Sequence, residues 1–307
     1  MCLPVRTHRW QREPDVPSVL PRPLADTAVA PGMLAIVGLG AMYLPTYWVA
    51  ANGLWQSDDF SHAPIILAVV LWLFWKIRKE IQVTPDQPLH FLGWFLLILG
   101  VLLYLFGRTF TIASAEFLSQ PFVVGALLLL LKGSAALRIA WFVVIYLLFM
   151  VPLPATLVDA VTGPLKHWIS IIVVEVMYAA GYPITRAGVT IAIGQYQMLV
   201  ADACSGLNSI VSLSALGTLF MYIAGRSGPW HNTIMLVAII PIAFAANVVR
   251  VLTLILITYH FGDEAGQGFL HGTAGIVLML VALGLFFVLD VALTFGFKYI
   301  CRRRGFT

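Results

Sequence analysis

Three side chains that could do chemistry stand in otherwise apolar surroundings, namely Cys204, Arg250 and His271. A cysteine thiolate can attack a carbonyl carbon, and an imidazole can take the thiol proton and later protonate the leaving amine. A guanidinium can hold the oxyanion that forms between these steps. The three residue types would support acyl transfer through a thioester if the chain brings them to one place.

Cys204 lies where a weakly alternating segment ends and a long apolar helix is predicted to begin. Unpaired N–H groups and the dipole at a helix N-terminus favour a thiolate. Ser205 and Gly206 permit close approach of a substrate backbone, and Asn208 adds a nearby polar group. The alternative, a small packed residue, is the commoner role of a cysteine at a helix start. The other cysteines lie at opposite ends of the chain, at Cys2 and Cys301.

Arg250 is a charged residue inside an apolar stretch that runs from Ala238 to Leu256. A charge at the centre of a membrane helix costs roughly 2.5–3.5 kcal/mol or more on insertion scales, so a functional role is the default. Asn247 is three residues earlier, on the same helical face. Arg250 could therefore hold an oxyanion or a substrate carbonyl. The structural alternative is an ion pair inside the bundle, with Glu175 or Glu116 as its partner.

His271 is predicted to open the eighth membrane helix, and the small residues after it leave room for its ring. It is one of several histidines predicted on the same side of the membrane. The others are His62, His167 and His260. No HExxH, CxxC or paired-aspartate spacing occurs, so neither a metal nor a cofactor is expected. Three glycines in a predicted loop lack the strand–helix context of a nucleotide site: Gly262, Gly266 and Gly268.

The composition is that of an integral membrane protein. The 307 residues are 60% hydrophobic and 10% charged, whereas soluble domains carry roughly 25% charged residues. We predict an all-α membrane catalytic domain over residues 29–300. A disordered cytoplasmic segment rich in arginine and proline would precede it at residues 1–28, and a short basic cytoplasmic tail would follow at residues 301–307.

Eight apolar runs predict eight transmembrane helices. They are Val29–Ala50, Ile65–Trp75, Phe91–Phe106, Ile112–Leu131, Ile139–Val151, Ser205–Ala224, Thr233–Thr258 and Gly272–Phe297. Between the fifth and sixth runs, residues 155–181 have one polar and one apolar face, which predicts an interfacial or short re-entrant helix. Residues 189–200 alternate around Gly194-Gln195, as a small hairpin would; an irregular loop is the alternative.

The distribution of positive charge favours eight crossings with both termini inside. That topology puts all but four of the 18 lysines and arginines on the inner side. The four are Arg108, Lys166, Arg186 and Arg250. A ninth crossing at residues 155–181 would invert everything after it and put the C-terminal basic cluster outside. With eight crossings, Cys204 and His271 fall at the outer surface, and Arg250 lies about two turns from the outer end of its helix.

At these residues the sequence resembles the exosortase/archaeosortase family of membrane cysteine transpeptidases. The resemblance rests on Ala203-Cys204-Ser205-Gly206-Leu207, on Asn247-Val248-Val249-Arg250-Val251, and on His271 with Gly275. Val151-Pro152-Leu153-Pro154 and Ser61-His62 also resemble family landmarks. Ala63 departs from the family pattern, because a glycine is common there. The similarity spans roughly residues 58–283.

The resemblance implies that Cys204, Arg250 and His271 are the catalytic residues. It implies processing of exported proteins that carry a C-terminal sorting tail, made of a short Pro-Glu-Pro type motif, a transmembrane helix and a basic end. The new C-terminus would pass through a thioester to an acceptor molecule, at the periplasmic face of a bacterial inner membrane. Membrane lipid, but no nucleic acid, would be a partner. It also implies a link to exopolysaccharide production, and the Ala201-Asp202-Ala203 lead-in resembles the subgroup labelled B.

Two other functions remain open from the sequence. A non-catalytic transporter or polysaccharide-export subunit could use Arg250 to bind a translocated anion, although the repeat symmetry and multiple intramembrane charges typical of transporters are missing from the sequence. A membrane acyltransferase would use Cys204 on lipids through the same thioester chemistry.

The topology predicts a labelling pattern. A membrane-impermeant maleimide added to intact cells should label Cys204 but neither Cys2 nor Cys301, because only Cys204 faces outward. The measurement is thiol modification of each single-cysteine variant before and after permeabilisation. Labelling of Cys204 only after permeabilisation would favour the inverted arrangement with nine crossings.

Overall fold

The computed structural model describes residues 29–57, 60, 62–199, 206–225 and 228–303. Within them the chain divides into two compact units, the first ending at Pro154 and the second beginning at Ala155. Both units are mainly helical, and the only sheet among the described residues belongs to the second unit. The expectation of an all-α membrane protein is confirmed at the level of fold class.

The first unit consists of five helices joined by short connections. A 3-10 turn at Leu54–Gln56 follows α1, and another at Leu147–Met150 continues α5. The helices are α1 (Val29–Ala51), α2 (Ala63–Val83), α3 (His90–Thr109), α4 (Ala113–Leu131) and α5 (Ser134–Tyr146).

Helices α3 and α4 pair closely because α3 presents a glycine every seven residues. A Cβ atom at Gly100 would lie 2.7 Å from Cγ2 of Val123. Gly93 and Gly107 meet α4 in the same way, at Leu130 and Glu116. A helix face lined by glycines lets two helix backbones come close and make many van der Waals contacts. Such contacts matter in a membrane, because lipid is as apolar as the side chains and the hydrophobic effect does not drive helices together.

A buried carboxylate, Glu116, is held inside this first unit. Thr46 Oγ1 donates a hydrogen bond of 2.7 Å to Glu116 Oε2, and Arg108 Nη1 lies 3.6 Å from the same oxygen. Tyr43 and Ser119 share a hydroxyl–hydroxyl bond of 2.7 Å nearby. A hydrogen-bonded and ion-paired carboxylate can be buried at much lower cost than an isolated one.

In its described residues the second unit contains five helices and a small sheet. The helices are α6 (Ala155–Ala179), α7 (Gly206–Ala224), α8 (Pro229–Phe261), α9 (Asp263–Gly272) and α10 (Ala274–Arg303). The strands, between α6 and α7, are β1 (Ile184–Ala187), β2 (Thr190–Ile193) and β3 (Tyr196–Leu199).

The sheet is antiparallel in the order β1-β2-β3. Both connections are two-residue turns that open on a glycine with positive φ, at Gly188 (φ 65°) and Gly194 (φ 56°). That is the pattern of a type II′ hairpin turn, which matches the twist of the strands it joins. The predicted hairpin around Gly194-Gln195 is therefore confirmed. The additional strand β1 went unpredicted, because Ile-Thr-Arg-Ala shows no strict alternation of apolar and polar residues.

Helix α8 is the central element of the second unit, and it packs in two different directions along its length. Its N-terminal part packs against α7 and α10, where buried side chains include Leu213, Met235, Ile239, Ala243, Ala246, Leu278 and Phe286. Its C-terminal part packs against α6 and the sheet, where they include Ile169, Val173, Ile191, Ile193, Val251, Leu254 and Ile255.

Each of the eight predicted apolar runs is mainly helical over its described residues, and several of the helices are longer than predicted. α2 continues past its basic residues to Val83, and α8 extends at both ends, from Pro229 to Phe261. Residues 155–179 form the predicted helix α6.

By length and composition alone, five helices among the described residues could cross a membrane: Pro31–Ala51, His90–Thr109, Ala113–Leu131, Trp230–Phe261 and Gly275–Gly296. Ser134–Met150 and Val211–Ala224 are shorter apolar helices. Eight crossings with both termini inside stay a prediction.

Candidate functional site

Asn247 and Arg250 lie on α8 where its packing changes direction. Ala246 belongs to the cluster with α7 and α10, and Val251 belongs to the cluster with α6 and the sheet. The two polar side chains between them are only 2% and 5% exposed. A strongly polar pair is thus buried in the middle of the unit, one helical turn apart on the same face of an apolar helix.

The amide of Asn247 has an unused acceptor. Its Oδ1 atom is buried and has no hydrogen-bond partner among the residues that the structure describes. An unsatisfied buried polar atom costs about 1–3 kcal/mol, and such atoms in native proteins usually have a reason. Asn247 therefore offers an acceptor, beside the Arg250 guanidinium, to a polar group that enters this region.

His271 is carried by α9, a separate ten-residue helix, and not by the last helix. The prediction that His271 opens the eighth membrane helix is wrong, because Ala274 begins α10 and His271 stands next to the end of α9. Gly262 ends α8 with φ 91°, and Asp263 and Glu264 follow in the first turn of α9, where carboxylates stabilise a helix start. Gly266 and Gly268, expected in a loop, are therefore helical.

Helix α9 docks against the C-terminal part of α8 through Gly266. A Cβ at this glycine would overlap the hydroxyl of Thr258, which is itself 1% exposed. Thr258 is two turns beyond Arg250 on α8, about 12 Å along the axis. The element that carries His271 is thus fixed to the element that carries Arg250.

Cys204 and Ser205 lie outside the described residues, between two elements that are described. β3 ends at Leu199 and α7 begins at Gly206, so the backbone of Asn208 is in the first turn of α7. Both neighbours are tied to α8, since α7 packs along it and the sheet packs on its C-terminal part. The elements on either side of Cys204 in the sequence, and the helix that bears His271, therefore all pack against the helix that carries Asn247 and Arg250.

The other histidines have separate surroundings. His62 belongs to the first unit, where burial lowers the pKa of its imidazole and a hydrogen bond to the backbone of Phe149 opposes the shift. His260 Nε2 lies 3.1 Å from the hydroxyl of Tyr182, at the end of α8. The ring of His167 packs edge-on against Trp168, and the residue is exposed.

The two glutamates considered as structural partners of Arg250 are placed differently from each other. Glu116 is engaged by Thr46 and Arg108 within the first unit. Glu175 is exposed on α6.

Sequence reasoning missed a second buried polar pair. His231 Nε2 lies 2.9 Å from Asp290 Oδ1, joining the start of α8 to α10. The side chains of Phe220, Met221 and Met235 lie around this pair. The signal was available, because Asp290 is an acidic residue inside an apolar run. Together with Arg250 it contradicts the expectation that several intramembrane charges are missing. No group of metal-ligating side chains occurs within the described ranges.

The fold is that of a multi-pass helical membrane protein, with a buried polar pair on the central helix of its second unit. Residues 54–288 match the family described as transmembrane exosortase. Because that match covers more than half of the chain, the protein belongs to the transmembrane exosortase family, a family of membrane transpeptidases. No curated protein and no solved structure matches the chain.

The docking of α9 predicts different responses from two glycines on the same helix. Gly266→Leu should displace α9 from Thr258 and cost about 1–3 kcal/mol, the range for overpacking a filled site. Gly268→Leu should not destabilise, because a Cβ there meets no atom within 4 Å. Thermal unfolding of both variants in detergent measures the difference. Equal midpoints would contradict the packing of α9 on α8.

Proposed function

We propose that this protein is a cysteine transpeptidase that cleaves the C-terminal sorting tails of exported proteins. The observation that carries the proposal is the buried Asn247–Arg250 pair on α8. α7, which follows Cys204, and α9, which bears His271, both pack against that helix. A guanidinium buried in an apolar helix is expected to have a role, and family membership suggests transpeptidation.

The reaction would begin with transfer of the Cys204 thiol proton to His271. The thiolate then attacks the scissile carbonyl, and the resulting tetrahedral oxyanion accepts hydrogen bonds from Arg250. The C–N bond breaks as the imidazolium gives its proton to the leaving amine, which leaves a thioester on Cys204. An acceptor amine or hydroxyl attacks this thioester and releases the thiol, so the exported protein is joined to the acceptor.

The position of each element supports its role in this reaction. α7 begins at Gly206, two positions after Cys204 in the sequence, and a thiolate close to a helix N-terminus would be favoured. His271 stands in the last turn of α9, and the C-terminus of a helix favours a positive charge such as an imidazolium. Asn247 would orient the guanidinium or the substrate carbonyl through its amide, and Ser205, Gly206 and Asn208 would support the approach of the substrate.

The substrate would be an exported protein whose tail has a Pro-Glu-Pro type motif, a transmembrane helix and a basic end. With the N-terminus inside, the site faces the periplasmic side of a bacterial inner membrane. The protein would also be linked to exopolysaccharide production and would belong to the subgroup labelled B. Co-expression with a tailed reporter, followed by weighing of its mature C-terminus, tests the substrate class; a reporter that keeps its tail would argue against it.

The nucleophile can be tested by substitution. Cys204→Ala should abolish reporter processing and leave the amount of inserted enzyme near normal, and Cys204→Ser should also fail because a hydroxyl is far less ionised than a thiol at neutral pH. His271→Ala should lose most of the activity. The measurement is processing per unit of membrane-inserted enzyme. Normal processing by Cys204→Ala would end the cysteine mechanism and favour a transport or export role.

The Arg250→Lys variant separates catalysis from architecture. The planar guanidinium of arginine can donate two parallel hydrogen bonds to an oxyanion, and the ammonium group of lysine cannot reproduce this geometry. Arg250→Lys should therefore insert normally and lose on the order of a hundredfold in rate, the scale of losing one oxyanion donor. If Arg250 is part of a structural ion pair, lysine should keep most of the activity while Arg250→Ala lowers protein abundance. Near-normal specific activity of Arg250→Lys would remove Arg250 from the catalytic residues.

A further inference from the structure

The strand β3 has one edge without a neighbouring strand among the described residues. The sheet order is β1-β2-β3, so β2 is central and β3 is an outer strand. An outer strand presents a row of backbone N–H and C=O groups that can pair with another chain. Of the two outer strands, β3 is the one that leads directly to Cys204.

The strand register shows which residues of β3 offer their backbone to that edge. Ile193 and Tyr196 flank the two-residue turn and pair with each other, as do Ile191 and Met198 farther along. In an antiparallel ladder, only alternate pairs exchange hydrogen bonds, and the pair flanking such a turn is a bonded one. Gln197 and Leu199 therefore direct their backbone N–H and C=O away from β2.

The packing of the sheet fixes which side of a paired segment would face the protein. Ile191 and Ile193 are buried against α6 and α8, and their partners Met198 and Tyr196 pack on the same cluster. Gln197 is exposed on the opposite face. A segment paired with β3 would thus alternate between side chains facing α8, which carries Asn247 and Arg250, and side chains facing solvent.

We propose that the free edge of β3 binds the substrate as an added strand, by backbone pairing with Gln197 and Leu199. The occupant is an extended peptide, the segment of the tail around the scissile bond. Cys204 follows Leu199 by five positions in the sequence, a reach of at most about 18 Å. Backbone pairing also suits an enzyme that accepts many proteins sharing a short motif, because main-chain bonds supply affinity independently of side chains.

This inference rests on the proposed function, and one pair of variants isolates the backbone contribution. Gln197→Pro removes the N–H at the free edge and leaves the bonds to β2 intact, a position where an edge strand tolerates proline. Gln197→Ala removes the same side chain and keeps the N–H. With limiting tailed reporter, Gln197→Pro should process roughly five- to tenfold more slowly than Gln197→Ala, per unit of inserted enzyme. Equal rates would overturn the proposal.

A cross-linking scan gives a second measurement that does not depend on the folding of the proline variant. Gln197→Cys is combined with Cys204→Ala, and single cysteines are placed along the reporter segment before its cleavage site. Strand pairing predicts disulfides at every second position. Cross-links at consecutive positions, or none, would overturn the proposal. If processing still requires Cys204 in that case, only the edge-binding inference fails; if Cys204→Ala processes the reporter, the proposed function itself fails.

Discussion

The burial of a guanidinium in an apolar helix is the constraint on which the second unit depends. Arg250 is 5% exposed within the 33-residue helix α8, and its neighbour Asn247 is 2% exposed. Removing such groups from water costs several kcal/mol unless other polar groups meet them. The surrounding elements must therefore meet this pair with polar groups of their own. We propose that Arg250 also serves acyl transfer, which creates a negative charge that is present only during the reaction.

The packing of α8 explains how distant parts of the sequence reach the same region. Its N-terminal part is covered by α7 and α10, and its C-terminal part by α6 and the three-stranded sheet. Asn247 and Arg250 lie where the elements packed on α8 change from α7 and α10 to α6 and the sheet. The chain between β3 and α7, which includes Cys204, lies outside the described residues. The turn at Gly262 then sends α9 back onto α8, where Gly266 permits contact with Thr258. One long helix thus carries Asn247 and Arg250 and packs against the elements on either side of Cys204 in the sequence and against the helix that bears His271.

The sequence predicted the elements of this arrangement better than their connections. Apolar runs revealed eight helices because membrane helices need long stretches without charge, and Gly194-Gln195 revealed a hairpin through its turn chemistry. α9 was not predicted, because its ten residues include no apolar run long enough to indicate a helix. His271 was therefore assigned to the wrong helix. The pairing of α3 with α4 through glycines and the bond between His231 and Asp290 depend on partners far away in the chain. The roles of Cys204, Arg250 and His271 rest on resemblance and chemistry, and stay predictions.

The thioester on Cys204 is the central claim, and mass spectrometry of the enzyme tests it most directly. Membranes that contain the enzyme and a tailed reporter would be quenched with acid, digested and searched for the peptide that contains Cys204. The account predicts that this peptide carries the new C-terminal segment of the reporter, and that hydroxylamine, which cleaves thioesters, removes the added mass. Processed reporter together with an unmodified Cys204, or a covalent adduct on another residue, would contradict the account.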